Sequence, residues 1–260
     1  MTNDDKVALV TGATSGIGLA SVRQLAGQGH RVFLCARNKE AVADTVAQLR
    51  GEGFDVDGTT ADVRAAEDIS AFVRAAVDRY GPVDVLVNNA GRSGGGVTAD
   101  LTEELWSDVI ATNLNSVFLA SREVLTTGGM REKQRGRIIN IASTAGKQGV
   151  VLGAPYSASK HGVVGFTKAL GNELAPTGIT VNAVCPGYVE TPMAQRVRSG
   201  YAAAYDTTED AILTKFQAKI PLGRYSTPEE VAGLVGYLAS DLAASITAQA
   251  LNVCGGLGNF

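Results

Sequence analysis

The apolar run Val7-Ala8-Leu9-Val10 passes straight into Thr11-Gly12-Ala13-Thr14-Ser15-Gly16-Ile17-Gly18, and residues 19–28 then repeat apolar side chains at helical spacing. A strand, a glycine turn and a helix in immediate succession constrain the fold more than any other stretch, because such a unit buries little by itself and must join a sheet. Glycine tolerates positive φ and close backbone approach, and the amides that open a helix point at whatever anion sits there. A pyrophosphate meets that description. The spacing is G-x-x-x-G-x-G rather than G-x-G-x-x-G, so a dinucleotide fingerprint is only approximated and a plain tight turn is the competing reading.

The alternation continues along the chain. Apolar segments at 31–35, 55–61, 83–88, 136–141 and 180–185, with a last one near Leu251, are separated by helical segments at 66–80, at 102–130 and around Tyr156. Strands alternating with helices predict an α/β fold, a doubly wound parallel sheet of about seven strands with helices on both faces, in a single domain over 1–260. In such sheets the ligand lies beyond the carboxyl ends of the strands. The glycine turn, Asp62, Asn88-Asn89-Ala90-Gly91, Ser143 and Pro186-Gly187 all follow predicted strands and are expected to share one crevice.

The second strand ends at Ala36-Arg37-Asn38, where a unit of this type sets its ribose contact. An acidic residue there would hold a free 2′-hydroxyl, and none is present. Arg37 offers a planar cation suited to a 2′-phosphate, which favours NADP(H) over NAD(H); a solvated arginine is the plainer alternative. Tyr156 and Lys160 stand four residues apart on one predicted helix face. A phenol beside a fixed cation gives up its proton more readily than an isolated one, whose pKa is about 10. The pair is a candidate proton donor and acceptor, against the blander reading of two residues sharing a solvated face.

Thr11 to Gly18, Asn88 to Gly91, Asn113, Ser143, Tyr156-x-x-x-Lys160 and Pro186-Gly187, in that order, resemble the signature of the short-chain dehydrogenase/reductases over essentially the whole chain. The resemblance implies a Rossmann fold and NADPH-dependent ketone reduction. It implies Tyr156 as the general acid that protonates the carbonyl oxygen, with Ser143 hydrogen-bonding the same oxygen. Lys160 would hold the nicotinamide ribose and lower the pKa of Tyr156, and Asn113 would sit at a helix break and hold a water linking Lys160 to solvent. Cofactor contacts implied in the same way are Thr11, Gly12, Thr14, Ser15, Gly16, Ile17, Gly18, Arg37, Asp62, Val63, Asn89, Ala90, Gly91, Tyr156, Lys160, Pro186, Gly187, Val189 and Thr191. A homotetramer is also implied.

Local phrases narrow the family. Asn140-Ile141-Ala142-Ser143-Thr144, Gly146-Lys147-Gln148-Gly149-Val150, the stretch 154–162 and the carboxyl end 248–260 are similar to ketoreductases of aromatic (type II) polyketide synthases. Those enzymes reduce one ketone, typically at C9, of a poly-β-ketone tethered to an acyl carrier protein. A 3-oxoacyl-acyl-carrier-protein reductase of fatty acid synthesis is the alternative within the family, and a non-catalytic NADP-binding sensor or scaffold is the alternative from another class. Substrate contacts implied are Ser93, Gly94, Gly95, Gln148, Val150, Met193 and Tyr201. Ser93-Gly94-Gly95 departs from the Pro-Gly-Gly of these ketoreductases, which leaves the stereochemical outcome open.

Two further features bear on the substrate. Arg37, Arg64 and Arg92 each follow a predicted strand, so they form one rim able to attract a phosphopantetheine arm and the acidic surface of a carrier, or simply cofactor phosphate and water. Residues 193–222 exceed a typical connection and carry Met193, Tyr201, Tyr205, Ile212, Leu213 and Phe216. They read as a lid over the substrate side, or as a helical pair packing its apolar stripe on the body.

Composition removes several rivals. With 260 residues and 45% hydrophobic content the chain can bury a sizeable core, and a net charge of −3 supplies no basic field for nucleic acid. The basic cluster at 131–137 reads as a solvated turn. No apolar run approaches the ~18 residues of a membrane span, so a cytoplasmic protein is expected. Cys35, Cys185 and Cys254 are expected as reduced, packed thiols, and neither they nor His30 and His161 suggest a metal.

Overall fold

The computed structural model describes residues 6–258, and Asn259 and Phe260 of the carboxyl-terminal phrase lie outside them. Seven strands, β1 (Val7–Thr11), β2 (Arg31–Ala36), β3 (Val56–Thr60), β4 (Val85–Asn88), β5 (Gly136–Ile141), β6 (Ile179–Pro186) and β7 (Ala250–Val253), form one sheet in the order β3-β2-β1-β4-β5-β6-β7. Every neighbouring pair is parallel. The seven-stranded doubly wound sheet expected from the apolar runs is therefore present, with strand ends within two residues of their expected places.

Helices cover both faces. α1 (Gly16–Gly27), α2 (Lys39–Gly51) and α10 (Pro228–Ala239) bury Val22, Leu25, Val46, Leu49, Val235 and Leu238 against Val10, Leu34, Val87 and Ile139. On the other face α3 (Ala66–Tyr80), α5 (Ser116–Leu125) and α7 (Ala154–Leu174) bury Ile69, Phe72, Val124 and Leu170 against Leu9, Phe33, Leu86 and Ile138. Successive strand residues thus serve opposite cores, which is why these strands read as continuous apolar runs. Each fully buried Leu or Phe here contributes roughly 1.5–3 kcal/mol from its burial.

The helical segment expected over 102–130 is broken. α4 (Glu103–Ile110), opened by Thr102 whose side chain accepts from Leu105 N, gives way to a π-helical turn at Ala111–Asn115 before α5 resumes. A one-turn α6 (Met130–Lys133) then leads into β5. The basic cluster around it is solvated over residues 131–135 but ion-paired: Lys133 pairs with Asp84 and Arg135 with Asp241, and only Arg137 is buried, within 3.7 Å of Asp241. Those acids stand far away in sequence, so composition alone hid them.

After β6 the chain forms α8 (Pro192–Ala204) and α9 (Glu209–Gln217). The two carry their own core, in which Ala202, Ile212, Phe216 and Ile220 pack with Tyr225 against Tyr188 and Tyr201. The tyrosine and phenylalanine rings stack, Tyr188 on Phe216 at 4.7 Å and Tyr188 on Tyr225 at 5.2 Å between centroids. The segment expected over 193–222 is thus a helical pair with an apolar stripe. Among the described residues no helix is long and apolar enough to cross a membrane, and no group of His, Cys, Asp or Glu could hold a metal ion. The three cysteines are free and buried, with burial pushing the Cys35 thiol up to about 12.

Candidate active site

The chain reverses its direction of travel across the sheet between β1 and β4, the point at whose carboxyl ends folds of this kind leave a crevice. Thr11 holds this point together. Its hydroxyl oxygen accepts from Asn89 N and Ala90 N, both at 3.1 Å, while Asn89 Nδ2 donates back to the Thr11 and Gly12 carbonyls at 3.0 and 2.9 Å. Gly12 (φ 63°) and Gly16 (φ 53°) take the left-handed backbone that the turn into α1 needs. A Cβ on Gly18 would stand 2.3 Å from the Gly12 carbonyl oxygen. The departure from G-x-G-x-x-G therefore still yields a cradle of bare backbone. Ser15, at the start of α1, makes no side-chain cap, and the helix has no acid in its first turn.

Arg37 stands exposed just beyond β2 and makes no hydrogen bond or ion pair among the described residues; the Asp62 carboxyl is held low chiefly by its hydrogen bond from the Arg64 side chain, to which the Arg37 charge adds a little. Asp62 and Val63 follow β3, Asn89 to Gly91 follow β4, and Gly187, Val189 and Thr191 follow Pro186, the last residue of β6. Thr191 also caps α8, accepting from Ala194 N at 3.2 Å. A Cβ on Gly16 would lie 3.1 Å from its methyl group, which places the two sides of the crevice mouth in contact.

Ser143 follows β5, where its hydroxyl accepts from Ala145 N at 3.1 Å. α7 brings Tyr156 and Lys160 alongside it. Burial pushes the Tyr156 phenol above its ordinary value, a hydrogen bond with Ser143 opposing. Burial also lowers the Lys160 ammonium to about 8. Lys160 Nζ donates to the Ile141 carbonyl at 2.7 Å and lies 5.8 Å from the centre of the Tyr156 ring. The expected lowering of the Tyr156 pKa by Lys160 is therefore not what this geometry gives: desolvation outweighs a cation engaged elsewhere.

Asn113 lies in the π-helical turn, fully buried. Its side chain spans the Arg92 peptide groups, accepting from Arg92 N at 2.8 Å and donating to Arg92 O at 3.0 Å, and also donates to Ser159 Oγ at 3.1 Å. Ser159 Oγ in turn donates to the Tyr156 carbonyl at 2.7 Å. Asn113 thus ties the loop after β4 to the tyrosine helix. Ser159 escaped the sequence reading although it stands inside the Tyr156-to-Lys160 phrase, because spacing gives no hint that it turns inward.

The remaining expected contacts lie on the loop after β4, on the loop after β5 and in α8. A Cβ on Gly94 would meet a Val109 methyl at 2.3 Å, and one on Gly95 the Leu152 carbonyl oxygen at 1.9 Å, so both glycines are required for packing. Leu152 takes a left-handed backbone (φ 59°) and its carbonyl accepts from Gly96 N at 2.8 Å. The neighbouring Val151 carbonyl accepts from the Tyr201 hydroxyl of α8 at 2.7 Å. Gln148 and Val150 lie on this same loop, and Met193 is the second residue of α8. On the rim, Arg64 and Arg92 are not free cations: Asp108 of α4 pairs with both, and Arg64 also forks onto Asp62. Nothing in the sequence pointed to Asp108.

A family model described as short chain dehydrogenase matches residues 6–202. The chain belongs to that family. It is accordingly an oxidoreductase of the short-chain dehydrogenase class, as its ordered motifs implied. The ketoacyl reductase assigned to the monensin polyketide synthase of Streptomyces virginiae is 81% identical to this short-chain dehydrogenase over 255 residues, 98% of each chain. A point variant of the actinorhodin polyketide ketoreductase, solved with NADPH, superposes with a TM-score of 0.97 at 61% identity, covering 100% of this chain and 99% of that one. A 3-oxoacyl-acyl-carrier-protein reductase of Vibrio cholerae is 41% identical over 257 residues, 99% of each. The narrower resemblance to polyketide ketoreductases is thus borne out over the fatty-acid type.

Proposed function

We propose that this short-chain dehydrogenase uses NADPH to reduce one ketone, at C9, of an acyl-carrier-protein-bound poly-β-ketone in aromatic polyketide biosynthesis. The observation that carries the reading is the convergence of Ser143, Tyr156, Lys160 and Asn113 beside a glycine cradle, in a chain 61–81% identical to polyketide ketoreductases. The cradle fits a dinucleotide phosphate: Gly12, Gly16 and Gly18 leave backbone where a Cβ would clash, and the uncapped amides at the start of α1 face the same space. Thr14, Ser15, Ile17 and Asn89 to Gly91 would line it, with Asp62 and Val63 toward the adenine side and Pro186 to Thr191 toward the nicotinamide. Unpaired Arg37 would take the 2′-phosphate. The bound cofactor would supply the hydride.

The chain's own work is proton delivery and charge stabilisation. As hydride reaches the carbonyl carbon, negative charge grows on the oxygen, where the hydroxyls of Ser143 and Tyr156 would donate. A phenol whose pKa is raised by burial is held protonated at neutral pH, the form a reductase needs in its acid. Once Tyr156 has given its proton, the Lys160 ammonium would stand 5.8 Å from the centre of the phenolate ring, a cation able to offset part of the burial cost of that charge. Reprotonation would pass along the π-helical turn at Asn113, where the helix ladder is interrupted.

Trp106 and Phe118 leave exposed apolar surface on α4 and α5, which supports a homotetramer packed through these helices, working in the cytoplasm. The test is NADPH consumption with a rigid bicyclic ketone and, separately, a short linear β-ketoacyl thioester. Preference for the bicyclic ketone is expected, and Tyr156→Phe should lose roughly 10²–10⁴-fold in turnover with NADPH binding retained. Preference for the linear thioester would move the assignment to the fatty-acid type, and undiminished turnover in Tyr156→Phe would remove that residue from the chemistry.

A further inference from the structure

Asp108 stands at the rim of the crevice, five residues before Asn113. Its two carboxylate oxygens are divided between two arginines: Oδ1 accepts from Arg64 Nη1 at 2.5 Å, and Oδ2 accepts from Arg92 Nη1. Arg64 also donates to Asp62 through Nε at 3.0 Å and Nη2 at 2.5 Å. With unpaired Arg37 the rim holds three guanidinium groups, facing Asp62, Asp108 and Asp68, whose carboxylate accepts from Asp62 N at 2.8 Å. Arg64, Arg92 and Asp108 keep 39%, 41% and 26% of their side-chain surface exposed. Pairs so open to solvent contribute little to stability. What the arrangement does is bring one Nη1 from each of two guanidinium groups onto a single two-oxygen anion, while the Arg64 fork rests on Asp62 and Arg92 Nε donates to the Ser93 carbonyl at 3.1 Å; arginine donors converging on one anion can also serve phosphate.

We infer that Asp108 is an internal stand-in for a phosphate group, holding Arg64 and Arg92 converged until the phosphate of a phosphopantetheine arm displaces it. This rests on the carrier-bound reading of the substrate given above. The carboxylate keeps two flexible cations in register, and it competes with the arriving phosphate for the same donors. A substrate that brings a phosphate must compete with Asp108 for these donors, whereas a thioester lacking one does not, so the bridge tempers the capture of phosphate-bearing substrates. The Arg92 backbone is gripped by Asn113 on both its amide and its carbonyl, so the Arg92 side chain can change partner without moving the peptide next to the catalytic residues. The effect therefore belongs to substrate capture and not to the chemical step.

The experiment compares Asp108→Asn, and Asp108→Ala as a second variant, with the wild type on three acetoacetyl thioesters: of pantetheine, of phosphopantetheine and of the holo acyl carrier protein. Removing the competing charge should raise kcat/KM on the two phosphate-bearing substrates about fivefold relative to the pantetheine thioester, through KM with kcat held, and should steepen the salt dependence. An unchanged or lowered ratio in both variants overturns the inference. So does a gain confined to the carrier-borne substrate, which would assign the rim to the carrier's protein surface. The carrier-bound reading itself fails separately, if the wild type shows no preference for the carrier-borne thioester over that of pantetheine.

Discussion

Thr11→Val replaces one hydroxyl by a methyl group of nearly the same shape at the point where β1 and β4 part. Thr11 is 2% exposed, and its hydroxyl oxygen is the acceptor for two successive amides, Asn89 N and Ala90 N. Valine keeps the β-branching a strand prefers, so backbone propensity does not enter. An amide left without a partner in a buried place costs about 1–3 kcal/mol. Asn89 and Ala90 are only partly buried, so the low end applies and the two together cost about 2 kcal/mol. The bonds from Asn89 Nδ2 to the Thr11 and Gly12 carbonyls survive, so the strands stay paired while the 89–91 loop loosens. Denaturant midpoints at matched protein concentration and NADPH affinity by fluorescence measure both effects. Thr11→Val should lose about 2 kcal/mol and bind NADPH more weakly, whereas Thr11→Ser should stay close to the wild type. Equal behaviour of the two variants would refute the role given to the hydroxyl.

Arg37→Ala should weaken NADPH binding about tenfold or more while leaving NADH within about twofold, since a charged hydrogen-bond partner contributes about 1.5–3 kcal/mol; equal losses for both cofactors would contradict the 2′-phosphate assignment. With Lys160 held at about 8 and the Tyr156 phenol above its ordinary value, NADPH-driven reduction should stay level through neutral pH and fall as pH rises through about 8. A profile that stays level up to the ordinary lysine value of about 10.4 would show that the ammonium is not needed. His30 is buried with Nδ1 3.1 Å from the Leu25 carbonyl, and desolvation holds its pKa below 6.5. The unfolded chain takes a proton near 6.5 that the folded chain refuses, so stability drops as pH falls below that value. His30→Gln should flatten this acid slope in denaturant titrations, and an unaltered slope would clear His30 of it.

The sheet was legible because parallel strands buried on both faces must be continuously apolar, as in Val7–Thr11 and Gly136–Ile141. Tyr156 and Lys160 were legible because four-residue spacing fixes a shared helix face. The same spacing carries no information on burial, which is why the direction of the Tyr156 shift came out opposite to expectation. The π-helical turn was invisible to periodicity, since 102–130 keeps an apolar rhythm across it, and only the family pattern singled out Asn113. Arg64 and Arg92 were expected side by side from their places after strands, and what joins them is Asp108, 44 and 16 residues further on, a contact only the fold creates. Arg137 and Asp241 repeat that lesson at the opposite end of the sheet.

Val151 and Leu152 offer two adjacent carbonyls, one to the Tyr201 hydroxyl of α8 and the other to Gly96 at the end of the glycine loop. Two consecutive peptide units joined at Leu152 therefore tie α8 to the glycine loop. A shift of α8 would be passed through Leu152 to the loop at Gly96, so the two segments answer to each other. A lineage adapting this scaffold to a bulkier or slimmer ketide has to revise both segments together, or rebuild the two residues between them.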